Sequence, residues 1–265
     1  MIQIIKNKLL NAYSCGSPIR QPVIKAIANG SNANNLIVNS SPSYIDGDSI
    51  VWGLIRGADK IMQQTKLNDY DFYHIDNAYF GRDLFFRITK NALQLSKLPN
   101  LIIDDRYKKI LSYLGKDIEP WKTTRNGPIL LCPSSNFLYS FYGSSLSEWV
   151  SDTINQIRSY SDRPIKIRYK ELIPKDDIDH DILDAWCVVT HVSAAALDSL
   201  RLGIPVIVTG SCAASPLSTP IKDIENPKME DGRHELFSYL AWGQFSVEEF
   251  SKHNIINEIQ CFYDN

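Results

Sequence analysis

The stretch that decides the fold is Cys187–Val208, CVVTHVSAAALDSLRLGIPVIV. Cys187-Val188-Val189-Thr190 is a short apolar run of the kind that makes a buried strand. Ser193 stands where an N-cap belongs, with Ala194, Ala195 and Ala196 as strong helix formers behind it. Gly203 falls at the position just past a helix end, and Pro205 follows it. Pro205-Val206-Ile207-Val208 reads as the next strand of a parallel sheet. In such a strand–helix–strand unit the helix start lies at the carboxyl edge of the sheet. Its unpaired N–H groups and its dipole favour an anion there. His191 and Ser193 could meet a phosphate at that edge; the same pattern also serves a packing unit with no ligand.

The rest of the chain repeats the alternation. Before residue 96 the expected strands are Ile2–Ile5, Leu36–Val38, Ser49–Ile55 and Asp71–Ile75, with helices over Pro22–Ala28 and Ala58–Leu67. Leu84–Leu95 fits either type. A second alternation starts at Pro128–Cys132 and runs through a helix over Leu146–Ser159, with Ser147 as a possible cap, and a strand over Ile165–Tyr169. Helices over Glu235–Trp242, from Ser246 with its Ser-x-x-Glu capping box, and over Asn254–Phe262 close the chain. The expectation is an α/β protein of two Rossmann-like domains facing a cleft. Residues 1–122 form the first, 127–242 the second, and the helices from about 243 to 265 pack back onto the first.

The 265 residues suffice for a sizeable core, and 44% are hydrophobic. No apolar run reaches the roughly 20 residues of a membrane span, and the first residues make a poor signal peptide. Five dispersed cysteines with no C-x-x-C pair argue against a zinc site or disulfides and for a reducing, cytoplasmic setting. Residues 82–125 carry ten Lys and Arg against five Asp and Glu, while residues 176–265 carry five against fifteen. A basic middle suits an anionic substrate.

Arg168 and Lys170 stand two apart in IKIRYK, which on a strand puts both cations on one face, suited to a diphosphate. Ser134 and Ser135 follow the strand ILLC and could offer hydroxyl and N–H donors to phosphate, or serve only the turn. Glu225, in IENP, could take ribose or sugar hydroxyls. Asp76 ends the strand DFYHI, at the edge where parallel sheets place their sites. It is a base for an acceptor hydroxyl or a turn former, with Tyr79, Arg82 and Arg87 as acceptor-side neighbours. Asp46-Gly47-Asp48 has the Asp-x-Asp form of a metal site but reads as a glycine turn.

The run T-x-x-S-A-A-A-x-D-S-L-x-x-G-I-P-V resembles the donor region of two-domain, GT-B-type nucleotide-sugar glycosyltransferases. WGLIRGADK, DFYHIDNAYFGR, RITKNALQ, ILLCPSS, DRPIKIRYK, IENP and LAWGQFSVEEF, together with that run, are similar to blocks of a phage-encoded glycosyltransferase family. The resemblance spans most of residues 51 to 250. It implies a nucleotide sugar as donor, a UDP-sugar first, with no metal and no tightly bound cofactor. Where many GT-B enzymes carry a Glu in the donor helix, this chain has Asp198. A phage origin implies host cytoplasm and, as acceptor, a 5-hydroxymethylated pyrimidine in DNA, with Arg106, Lys108, Lys109, Lys122 and Arg125 on its phosphates. The alternatives are transfer to a surface polysaccharide, or nucleotide or nucleic-acid binding without catalysis.

Overall fold

The computed structural model describes residues 9–95, 105–170 and 177–263, with side chains through 259. The strand expected at Ile2–Ile5 lies outside them. In chain order the first elements are β1 (Leu10–Tyr13), α1 (Gln21–Gly30), β2 (Asn35–Ile37), β3 (Asp48–Trp52), α2 (Ala58–Leu67), β4 (Phe72–Asn77) and β5 (Phe86–Lys90). Next come α3 (Arg106–Tyr113), β6 (Ile129–Cys132), α4 (Asn136–Phe141), α5 (Leu146–Arg158), β7 (Ile165–Ile167) and α6 (Ile178–Leu183). The chain continues through β8 (Cys187–Thr190), α7 (Ala195–Arg201), β9 (Val206–Val208), α8 (Arg233–Trp242), β10 (Gln244–Phe245), α9 (Val247–Lys252) and α10 (Ile255–Tyr263).

Two compact units result. The first takes the chain up to Ala78, then Arg82–Leu93, then the segment from Gly243; the second takes Tyr79–Gly81 and Gln94–Trp242. Residues 94–95 and 105–122, expected in the first domain, therefore belong to the second unit. Their anchors are side-chain and backbone bonds that composition does not reveal: Glu119 N–H donates to Arg201 O, Lys122 N–H to Gly203 O, and Arg233 to Glu119 O.

In the first unit the sheet order is β10-β5-β4-β3-β1-β2. Strands β1 to β4 are mutually parallel; β5 runs antiparallel to β4, and β10 antiparallel to β5. One face is apolar. Ala12, Ile50, Tyr73, Ile75, Phe86 and Ile88 meet Val23, Ile24 and Ile27 of α1 and Phe250, Ile255, Ile256 and Ile259 of α9 and α10. Period-two alternation puts a different set on the other face. Asn11, Ser49, His74 and Thr89 are polar yet fully buried. Thr65 of α2 reaches Ser49 there with a 2.9 Å hydrogen bond.

The second unit holds a four-stranded, all-parallel sheet in the order β7-β6-β8-β9. Central strands β6 and β8 are ILLC and CVVT, apolar and buried throughout, as strands covered on both faces must be. Edge strand β7 is only three residues long and exposes Lys166, which blunts the edge against further pairing. Tyr169, expected as the last residue of this strand, lies beyond β7 and is 53% exposed. Helix α5 is capped by Ser145, not Ser147: the Ser145 hydroxyl accepts from Glu148 N–H while the Glu148 carboxylate accepts from Ser145 N–H.

A candidate donor site at the switch point of the second sheet

From β6 the chain first adds β7 on one side of the sheet and later β8 on the other. Open parallel sheets bind ligands in the crevice that such a reversal leaves beyond the strand ends. Here that point is the carboxyl edge of β6 and β8, where Cys132 pairs with Thr190. Three hydrogen bonds pin this rim. The Thr190 hydroxyl donates to Cys132 O at 2.5 Å, Ser134 N–H donates to the Tyr139 hydroxyl at 3.0 Å, and Val192 N–H donates to the Ser134 hydroxyl at 3.2 Å. Ser134 is thus buried and works as a tie between the two strand ends, although its own hydroxyl proton can still be given away. Ser135 precedes α4 half-buried, without capping it through its side chain.

His191 follows β8 at this rim. Its ring stacks on Tyr139 (centroids 5.5 Å apart, planes at 27°) and meets Tyr142 edge-on at 5.9 Å. Gly210 passes so close that a Cβ there would lie 2.6 Å from His191 Cε1. Burial lowers the affinity of this imidazole for a proton, so it is neutral at pH 7. Ser193 does not cap α7. The N-cap is Ala194, and the Ser193 hydroxyl accepts from Ala195 N–H at 3.3 Å.

Arg168 and Lys170 do not share a strand face, because β7 ends at Ile167. Arg168 N–H still donates to Leu131 O, but its guanidinium turns to Asp181 of α6, which also holds Lys166. Burial opposes ionisation of Asp181; the two cations outweigh it and keep the carboxyl below its usual range. Lys170 is exposed. Asp198, on α7, is pushed up to about 6, first by burial and then by the Asp179 carboxylate, against Arg201 and Lys116. A carboxyl so displaced is the kind of group that active sites collect.

Glu225 is not at this rim. It accepts from the Ser161 hydroxyl and pairs with Arg163 at 3.0 Å, in the loop that enters β7. That is the amino edge of the sheet, opposite the rim where β6 and β8 end. The IENP motif carries no sign of which edge it meets.

In the first unit Asp76, one residue before the end of β4, stands opposite Arg87 of β5, and the two form a 2.8 Å ion pair. Arg87 also donates to Asn77 O and Leu93 O. Arg20, not singled out in the sequence, reaches Asn77 and Asp83 just beyond. Arg82 is exposed. Tyr79 is not available as an acceptor ligand: it is 5% exposed, packs in the second unit, and its hydroxyl accepts from Leu95 N–H. Gly47, at φ 129°, makes the turn between Asp46 and Asp48, and Asp48 is buried, accepting from Asp71 N–H. Among the described residues no group of three or more His, Cys, Asp or Glu side chains could hold a metal, and no helix is long and apolar enough to cross a membrane. Burial pushes the thiols of Cys15, Cys132 and Cys187 up to about 12, which leaves them inert.

Two of the cations expected on DNA phosphates are spent inside the second unit. Arg125 is buried, lies over Trp186 and donates to Trp186 O; Arg106 lies over Trp242 and donates to Ala241 O. Lys108 pairs with Asp105.

The fold is mixed α/β, with one all-parallel sheet and one mainly parallel sheet. The chain is similar in structure to two solved transferases from Thermosulfurimonas dismutans. One is KpsC, beta Kdo 2,4 transferase, at TM-score 0.53 and 13% identity, covering 95% of this chain and 98% of that one. The other is KpsC, beta Kdo 2,7 transferase, at TM-score 0.55 and 15% identity, covering 95% and 99%. No protein-family model matches the sequence, and no curated protein matches it.

Proposed function

We propose that this protein is a glycosyltransferase that moves a nucleotide-activated sugar onto a hydroxyl of a surface polysaccharide. The observation that carries this reading is likeness over nearly the full length of both chains to enzymes that transfer Kdo. The rim of β6 and β8 supplies the matching chemistry: a switch-point crevice with a fixed neutral imidazole, hydroxyls and nearby cations. The donor's phosphate meets His191, Ser135 and Ser193, and Arg168 and Lys170 balance its charge. Asp76, held by Arg87, is the acceptor-side base. The neighbours and the engaged arginines favour a glycan over DNA as acceptor.

The test offers the protein nucleotide-activated Kdo and a set of UDP-sugars, each with a Kdo-terminated glycan and with hydroxymethylated duplex DNA, and weighs the products. A glycan that gains one sugar mass supports the proposal. Gain on DNA alone overturns the acceptor. Nucleotide binding with no transfer to either overturns catalysis. Within this scheme Asp76→Asn lowers turnover about 100-fold or more with donor affinity near wild type. Lys170→Ala weakens nucleotide binding in calorimetry by about 1.5–3 kcal/mol for a charge-assisted contact, and Arg168→Ala by less, because Asp181 already pairs with that guanidinium. Wild-type values in these variants would remove the residues from the mechanism.

A further inference from the structure

Behind His191 lies a short chain of polar contacts that the rim itself does not need. Trp149 Nε1 is 2.8 Å from Thr209 Oγ1, and Thr209 Oγ1 is 3.0 Å from His191 Nδ1. An indole N–H can only donate, so Thr209 Oγ1 accepts from Trp149. The hydroxyl then has one proton of its own, and a hydroxyl that accepts a hydrogen bond becomes a better donor. The base in reach is His191 Nδ1. An Nδ1 that accepts leaves the imidazole proton on Nε2. The ring is also held sterically, by Tyr139 on one face, Tyr142 at the edge and the Gly210 backbone.

We propose that Trp149 and Thr209 are positioning residues that set the tautomer of His191, so that Nε2–H is presented as a hydrogen-bond donor. That the acceptor for this donor is a phosphate oxygen of the nucleotide rests on the reading of the rim given above. The relay makes His191 a neutral donor whose orientation is set before the ligand arrives. Preorganised donors of this kind need no rearrangement when charge develops on a leaving phosphate.

The tautomer is read without any substrate, by two-bond ¹H–¹⁵N correlation on protein labelled at its five histidines. The His191 signals are those missing in His191→Gln. The expected result is an unprotonated Nδ1 and a protonated Nε2 in the wild type. Thr209→Val moves the population toward Nδ1–H, while Thr209→Ser, which keeps the hydroxyl, retains the wild-type pattern. A protonated Nδ1 in the wild type, or a folded Thr209→Val protein with unchanged tautomer, overturns the relay. UDP binding separates this proposal from the one it rests on. Thr209→Val weakens UDP about fivefold, the worth of one ordinary hydrogen bond, if the rim is the donor site. A shifted tautomer with unchanged UDP affinity overturns the donor assignment instead.

Discussion

Two buried titratable side chains give the protein opposite responses to pH. His74 is fully buried in β4, and burial lowers its pKa from 6.5 to about 4. Between those values the unfolded chain takes up a proton that the native imidazole refuses. Stability therefore falls as pH drops from 6.5 to about 4, by about 3 kcal/mol in total at the low end. Asp198 works the other way. Its folded pKa is raised from 3.8 to about 6, so the native state holds a proton that the unfolded chain has released. Its contribution is present below 3.8 and is lost as pH rises through 6, on the order of 2 kcal/mol once its remaining contact with water is allowed for. Urea midpoints measured from pH 4 to 8 check both. His74→Leu removes the acid-side loss relative to wild type. Asp198→Asn gains stability over wild type as pH rises from 4 to above 6. Parallel pH curves for variant and wild type would contradict either assignment.

At the scale of elements, local chemistry sets where helices begin, and close approach sets where they end. The reciprocal bonds of Ser145 and Glu148 satisfy N–H groups that α5 leaves open, so Ser145→Ala costs about 1 kcal/mol. Gly203 ends α7 at φ +73°, and a Cβ there would lie 2.0 Å from Pro120 O. Gly203→Ala therefore meets both a left-handed backbone, worth about 1–2 kcal/mol, and a collision with the segment that ties residues 119–122 to the second unit. Denaturant titration should rank Gly203→Ala well below Ser145→Ala in stability. The reverse order would show that the Glu119–Lys122 segment yields easily.

At the scale of the whole chain, the first unit is completed by residues far from it in sequence. Strand β10 pairs with β5, and Phe250 of α9 is fully buried against α1. Gly30 admits this packing, since a Cβ on it would lie 2.1 Å from Phe250 O. Phe250→Ala should cost about 3–5 kcal/mol through lost burial and the cavity left behind. A chain ending at Trp242 should expose the first unit's apolar face and become sensitive to protease in residues 9–93. Protease resistance equal to that of the full chain would show that the returning segment is dispensable.

The sequence by itself determined the elements whose signal is local. The ends of α2, the capping box at Ser246 and the strand–helix–strand run from Cys187 to Val208 follow from apolar runs, caps and turn glycines. Strand order, and with it the position of the switch point, was settled only in three dimensions, because pairing depends on which apolar faces meet and not on any one segment. The same holds for side chains. Arg168, Arg125 and Arg106 read as available cations until Asp181, Trp186 and Trp242 come beside them. Glu225 reads as a ligand until the fold sends it to the amino edge. His191 was legible as a residue at a strand end, but its contacts with Tyr139 and with Thr209, and through Thr209 with Trp149, join positions tens of residues apart. Such contacts cost chain entropy that only the assembled core can offset, so no local pattern records them.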